Sequence, residues 1–293
     1  LALLWQLLLS MRPRQWVKNL FVLPALLFSR HALDWPYAGR ALAALACFCL
    51  LSGAVYLLND VADVERDRRH PRKCRRPIAA GRLSPTVAVS AAVLGALAAL
   101  AGAFLVQPGF GCVAALYGAI NLAYSLRLKH VVLLDVLSVA AGFLLRALGG
   151  ALAIDVPISP WFTLCSFSLA LFLAVVKRRQ ELVTLEQAAG AHRAILSQYS
   201  LPLLDQFIAV LTAATLVCYA LYAMGVGDAS GTANHHMQWT IPFVLYGMFR
   251  YLFLVHQQGI GDNPTAVVFA DRPLQVNLLL WLAACVLGYY VLP

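Results

Sequence analysis

The stretch Leu57–Pro85, LLNDVADVERDRRHPRKCRRPIAAGRLSP, is the most charged part of a chain that is otherwise largely apolar. Its Asn59 and Asp60 follow the apolar run GAVYLL, so it closes a hydrophobic segment rather than filling a loop between soluble elements. On a continuous helix, residues four apart drift by only about 40°, so Asn59, Asp63 and Asp67 are predicted to share one face, with Asp60 beside it. Oxygen donors on one stripe suit a hard cation such as Mg²⁺, whose remaining positions diphosphate oxygens can fill. A bound magnesium would then neutralise charge on a departing diphosphate. The bland alternative is a helix end laced by salt bridges to Arg66, Arg68 or Arg69. It explains Asp63 and Asp67 but not Asn59 and Asp60, which lie deeper, where ionisable groups are costly.

Outward from this stretch, the chain reads as membrane protein. Of its 293 residues 61% are hydrophobic and 12% charged, against about 25% charged in soluble domains. Apolar runs long enough to cross a bilayer core of about 30 Å recur along its length. Nine candidate spans fall at roughly 16–33, 41–61, 85–107, 109–126, 131–153, 160–176, 203–226, 238–256 and 273–292. The alternating segments of a membrane β-barrel are missing from the sequence. The expected fold is all-α, a polytopic bundle forming a single domain over 1–293, in a bacterial inner membrane.

Charge sets the orientation. The chain has 22 Lys and Arg and a net charge of +9. With the N-terminus inside, the outer loops hold only Arg30 and Arg40, while Arg146 and Arg250 fall within spans. The positive-inside rule therefore predicts a cytoplasmic N-terminus, an external C-terminus and a cytoplasmic face for the charged loops. The positive charge is accounted for by topology, and nucleic acid is not an expected partner. Six of the seven cysteines lie in apolar segments, no CxxC pair occurs, and neither a zinc site nor a disulfide framework is expected. Residues 1–11 lack the basic start and small-residue cleavage site of a signal peptide.

Other polar groups near the inner face are few. Lys73, Arg75 and Arg76 offer phosphate contacts, Arg in a two-pronged form, and Pro77 and Gly81 shape a turn. Lys18 follows RPRQW at the mouth of the first span, with snorkelling to the interface as its alternative. Tyr124 and Lys129 close the fourth span. Asp135 and Arg146 lie eleven residues apart, on one side of a helix but about 16 Å apart along it. They are therefore expected not to pair with each other but to line an elongated polar cavity. Lys177, Arg178 and Glu181 end the sixth span, where Lys177 and Glu181 have the spacing of a plain i,i+4 salt bridge. Gly149 and Gly150 are expected to serve close helix packing. No P-loop and no GxSxG occur.

The segment NDVADVERD resembles the NDxxDxxxD signature of the UbiA-type intramembrane prenyltransferase superfamily. That resemblance implies nine transmembrane helices and a magnesium–diphosphate site opening to the cytoplasm. RPRQWVKNLFVLP, KCRRPIAAGRLSP, YSLRLKHVVLLDVLSVAAGFLLRALGGALA and KRRQEL are similar to one branch, the decaprenyl-phosphate phosphoribosyltransferase group. The branch implies transfer of 5-phosphoribose from phosphoribosyl diphosphate (PRPP) to a polyprenyl phosphate. In its actinobacterial members this leads towards cell-wall arabinan. By the resemblance, Asn59, Asp63 and Asp67 with adjoining Asp60 belong to the metal motif. Lys18, Lys73, Arg76, Tyr124, Lys129, Asp135, Arg146, Lys177, Arg178 and Glu181 belong to the substrate-binding segments. The second acid-rich motif usual in aromatic-acceptor prenyltransferases is reduced here to Asp135 in a basic loop. Transfer of a prenyl group from a prenyl diphosphate is the alternative, and a non-enzymatic transporter a second. An oligomer is compatible with either.

Overall fold

The computed structural model describes residues 2–71, 73–187, 195–226, 235–257, 267–268 and 270–291. The described residues are helical, with no strand among them. Among the described residues eleven α-helices follow in order: α1 (Ala2–Ser10), α2 (Pro24–Phe28), α3 (Trp35–Ala62), α4 (Val64–Arg68), α5 (Pro85–Val106), α6 (Pro108–Leu126), α7 (Leu134–Ala153), α8 (Pro160–Gln187), α9 (Leu201–Ala223), α10 (Ile241–Gln257) and α11 (Arg272–Val286). Seven are long and apolar enough to cross a membrane: α3, α5, α6, α7, α8, α9, and α11 with its π-helical continuation Leu287–Val291. The expected first span is not one helix. Residues Pro13–Val22 form a 3₁₀ helix and Pro24 opens the short α2, a proline being well placed only at a helix start. The expected eighth span is α10, 17 residues long.

The chain divides into two compact units, Leu1–Leu126 with Leu145–Pro157, and Arg127–Leu144 with Ile158–Pro293. Helix α7 thus gives its first half to one unit and its second to the other.

In the first unit α3 packs along α5. Ala41, Ala44, Ala88, Ala92, Ala99 and Ala103 are fully buried, since small side chains let membrane helices approach closely. Phe48, Phe110 and Tyr117 fill the space between α3 and α6. Leu94, Leu97, Phe104 and Leu105 of α5 face outward, apolar surface of the kind lipid covers. The basic loop ends in a turn at Gly81, whose φ of 73° a side chain would resist. Ser84 then caps α5, its Oγ accepting from the Val87 N–H at 3.2 Å.

The second unit is built on α8 against α9, with α10 and α11 paired beside α9. Its core gathers Phe172, Val175, Val176, Leu204, Ile208, Tyr251, Leu254 and Val255. Two donors of this interior are tied off, while the buried Tyr251 Oη has no hydrogen-bond partner among the described residues. Gln180 Nε2 donates to the Val255 carbonyl at 2.9 Å, and Trp281 Nε1 donates to Tyr219 Oη at 2.8 Å, as buried donors require.

Candidate active site

Helix α3 carries Asn59 and Asp60 in its last turn and stops at Ala62. Asp63, at φ −96° and ψ 7°, separates it from α4. Helical hydrogen bonds run on through this turn, the Asp63 N–H donating to the Asn59 carbonyl at 2.9 Å and the Asp67 N–H to the Asp63 carbonyl at 2.8 Å. It is Asp60 and Asp67 that come together, both buried, with 3% and 1% of their surface exposed. Arg76 joins them: its Nη1 lies 2.5 Å from Asp67 Oδ2 and 3.1 Å from Asp60 Oδ1. Arg12 also donates to Asp60 Oδ1 and lies 4.8 Å from the centre of the Tyr56 ring. Two carboxylates taken from water require counter-charge, and their spacing of seven residues, about two helical turns, puts both on the side where Arg76 meets them.

Asn59 and Asp63 are only partly buried. Asn59 lines a largely apolar groove with Leu51, Leu58, Leu100 and Leu122, where Ser125 is the other polar side chain. Asp63 lies 3.5 Å from Arg66, and Arg68 pairs with Glu65 at 2.7 Å, so part of the plain salt-bridge alternative is real. Lys73 begins the 3₁₀ turn Lys73–Arg75, its backbone N–H donating to His70 Nδ1 at 3.3 Å.

Lys18 sits in the 3₁₀ helix Pro13–Val22, and the next residue anchors that helix. Asn19 is 1% exposed. Its Oδ1 accepts from Arg146 Nε at 2.7 Å, and its Nδ2 donates to Ser52 Oγ at 3.1 Å. Arg146 Nη2 donates to Tyr117 Oη at 2.7 Å, and its guanidinium lies 4.7 Å from the centre of that ring. Gly150, one turn further along α7, packs on the backbone carbonyl of Val22. Close packing at Gly150 is as the sequence suggests. Arg146 belongs to this buried network in the first unit. Tyr124, half-buried, lies two turns after Tyr117 on α6.

Asp135 belongs to the second unit and is completely buried. Its Oδ2 meets Arg178 Nε at 2.9 Å, and its Oδ1 accepts from Tyr199 Oη at 2.7 Å. Arg178 Nη1 also donates to Glu181 Oε2 at 2.5 Å, while Lys177 Nζ is 3.8 Å from Glu181 Oε1. Lys129, half-buried, lies in the 3₁₀ turn Leu128–His130 that leads into α7. Arg193, one of the inner-loop cations, lies outside the described residues.

Arg12, Asn19, Tyr117 and Tyr199 are site-building residues that the motif reading does not single out. Arg12 and Asn19 flank the noted RPRQW–Lys18 segment, and Tyr117 precedes Tyr124 by seven residues on one helix face. Tyr199 carries no sequence signal.

Among the described residues no group of three or more His, Cys, Asp or Glu side chains is placed to hold a metal ion by itself. The donors present are all oxygen: the amide of Asn59 and the carboxylates of Asp60, Asp63 and Asp67. That set fits magnesium, which takes one or two carboxylates and completes its shell with water and substrate phosphate.

The UbiA prenyltransferase family profile matches residues 19–270. The decaprenyl-phosphate phosphoribosyltransferase of Mycolicibacterium smegmatis is 37% identical over 288 residues, covering 94% of this chain and 90% of the relative. The protein of that name from Corynebacterium glutamicum is 35% identical, covering 97% and 86%. Among solved structures, a UbiA homolog from Archaeoglobus fulgidus bound to GPP and Mg²⁺ superposes with a TM-score of 0.72 at 17% identity, covering 98% of this chain and all of that one. The acid pair of α3 and α4, the helical architecture and these matches agree, and the chain belongs to the UbiA prenyltransferase family.

Proposed function

We propose that this protein transfers 5-phosphoribose from PRPP to the phosphate of a decaprenyl-type polyprenyl phosphate and releases diphosphate. The observation that carries this reading is the 35–37% identity, over more than nine-tenths of the chain, to enzymes named for that activity. The geometry supplies a matching chemistry. Asn59, Asp60, Asp63 and Asp67 would hold Mg²⁺, which when bound neutralises charge on the leaving diphosphate.

The rest falls to the chain's own cations. Arg76, already between Asp60 and Asp67, and Lys73 grip diphosphate oxygens. By the family resemblance, Lys18, Tyr124, Lys129, Lys177 and Arg178 contact the phosphates of PRPP and of the lipid. Asp135 and Glu181 hold Arg178 in place. The bond from ribose C1 to the diphosphate oxygen breaks as the lipid phosphate oxygen bonds to C1. A phosphate dianion attacks without surrendering a proton, so no general base is required. Fixed charges stabilise the cationic centre at C1, and alignment of two bound substrates adds to the rate.

Nine crossings, a cytoplasmic N-terminus, an external C-terminus and a cytoplasm-facing site within one functional domain in the bacterial inner membrane complete the proposal. The sharp loop charge asymmetry supports it. A water-soluble donor and a lipid acceptor can meet only at such a face.

The deciding experiment supplies radiolabelled PRPP and a polyprenyl phosphate to purified protein in detergent, with Mg²⁺ or with EDTA. Labelled lipid is expected with Mg²⁺ alone. The likeness to a homolog solved with GPP favours one rival, transfer of a prenyl group from a prenyl diphosphate. Absence of labelled lipid, in protein that geranyl or farnesyl diphosphate protects against heat, would replace the first reading by that one.

A further inference from the structure

Leu133 lies just before α7 with φ of 67°, a left-handed conformation that a branched side chain rarely adopts. Such a residue persists only where its surroundings hold it, and it often marks a site. What holds Leu133 is Tyr199, whose Oη accepts from the Leu133 N–H at 2.8 Å. The same hydroxyl donates to Asp135 Oδ1 at 2.7 Å. Asp135 in turn pairs with Arg178, and Arg178 with Glu181. One buried hydroxyl thus fixes two things in the second unit: the backbone that joins the Lys129 turn to α7, and the carboxylate that orients the Arg178 guanidinium.

We propose that Tyr199 is a positioning residue for phosphate binding, setting Lys129 through Leu133 and Arg178 through Asp135. This rests on the reading above, in which Lys129 and Arg178 contact substrate phosphates. The phenol is suited to the task because it is rigid, 6% exposed and able to donate and accept at once. Phenylalanine keeps the ring among Val136, Leu196 and Leu204 in the core but removes both hydrogen bonds.

The test compares wild type and Tyr199→Phe in three measurements. The first is hydrogen exchange across residues 127–135, which the proposal expects to speed up at least tenfold in the variant. The second is protection against heat by inorganic diphosphate with Mg²⁺, for which the half-saturating concentration should rise about tenfold. The third is phosphoribosyl transfer, in which KM for PRPP should rise about tenfold while kcat changes less than threefold. A purely structural role would lower the melting temperature and the active fraction but leave KM and the diphosphate titration unchanged. That result, or unchanged exchange across 127–135, overturns the proposal. Should wild type transfer no phosphoribose, the reading of the reaction fails, and exchange with the diphosphate titration still decides the role of Tyr199.

Discussion

Arg146 Nε meets Asn19 Oδ1 at 2.7 Å across 127 residues of sequence. This contact pins the 3₁₀ helix that carries Lys18 onto α7, and Ser52 of α3 holds the other end of the same amide. A guanidinium in the interior demands such acceptors, because a buried charge left unmatched costs several kcal/mol.

We predict that Asn19→Ala destabilises the protein by about 1–3 kcal/mol, the cost of stranding buried polar partners. Thermal unfolding in detergent measures it. A melting temperature equal to that of wild type would show that the network is dispensable.

Gly150 gives a second, steric handle on the same contact. A β-carbon there would fall on the Val22 carbonyl, and backbone cannot swing aside as a side chain can. Gly150→Ala should cost about 1–3 kcal/mol by overpacking. Gly95→Ala, where nothing lies within 4 Å, should change stability by no more than about 1 kcal/mol. Equal effects at the two positions would refute the close approach.

The acid pair predicts loss of activity without loss of fold. In Asp67→Asn the amide oxygen can still accept from Arg76, so the melting temperature should move by a few degrees only. Transfer should fall by about 100-fold or more, as when a preorganised charge is removed. Near wild-type turnover would remove Asp67 from the reacting centre.

Tyr199 also gives a pH dependence. Burial, helped by the neighbouring Asp135, pushes its hydroxyl up to about 12, against the opposing pull of the Leu133 amide. An unfolded tyrosine ionises near pH 10. The folded state therefore favours the neutral phenol. Its contribution is fully present below pH 10 and is lost as the pH rises through 12. Wild type should lose its stability advantage over Tyr199→Phe across that alkaline range. Melting curves from pH 8 to 11.5 that stay parallel for the two proteins would contradict this.

The sequence by itself determined the fold class and singled out the helix end where ionisable groups gather. Hydrophobic runs of membrane length permit only helices in so apolar a chain, and acids at the deep end of one such run are too costly to be incidental. It also placed the turn at Gly81, the close packing at Gly150 and the Lys177–Glu181 neighbourhood, because each is a local consequence of spacing or backbone freedom. Only the tertiary structure decided which acids meet. Asp60 and Asp67 share Arg76 of the basic loop, while Asn59 lines a largely apolar groove and Asp63 lies beside Arg66. Helical spacing correctly kept Asp135 and Arg146 from pairing with each other, but their partners, Arg178 and Tyr199 for one and Asn19 and Tyr117 for the other, are distant in sequence. Such pairings are fixed by the need of each buried charge for a counter-charge or hydrogen-bond partner, and that need names no residue until the helices are packed.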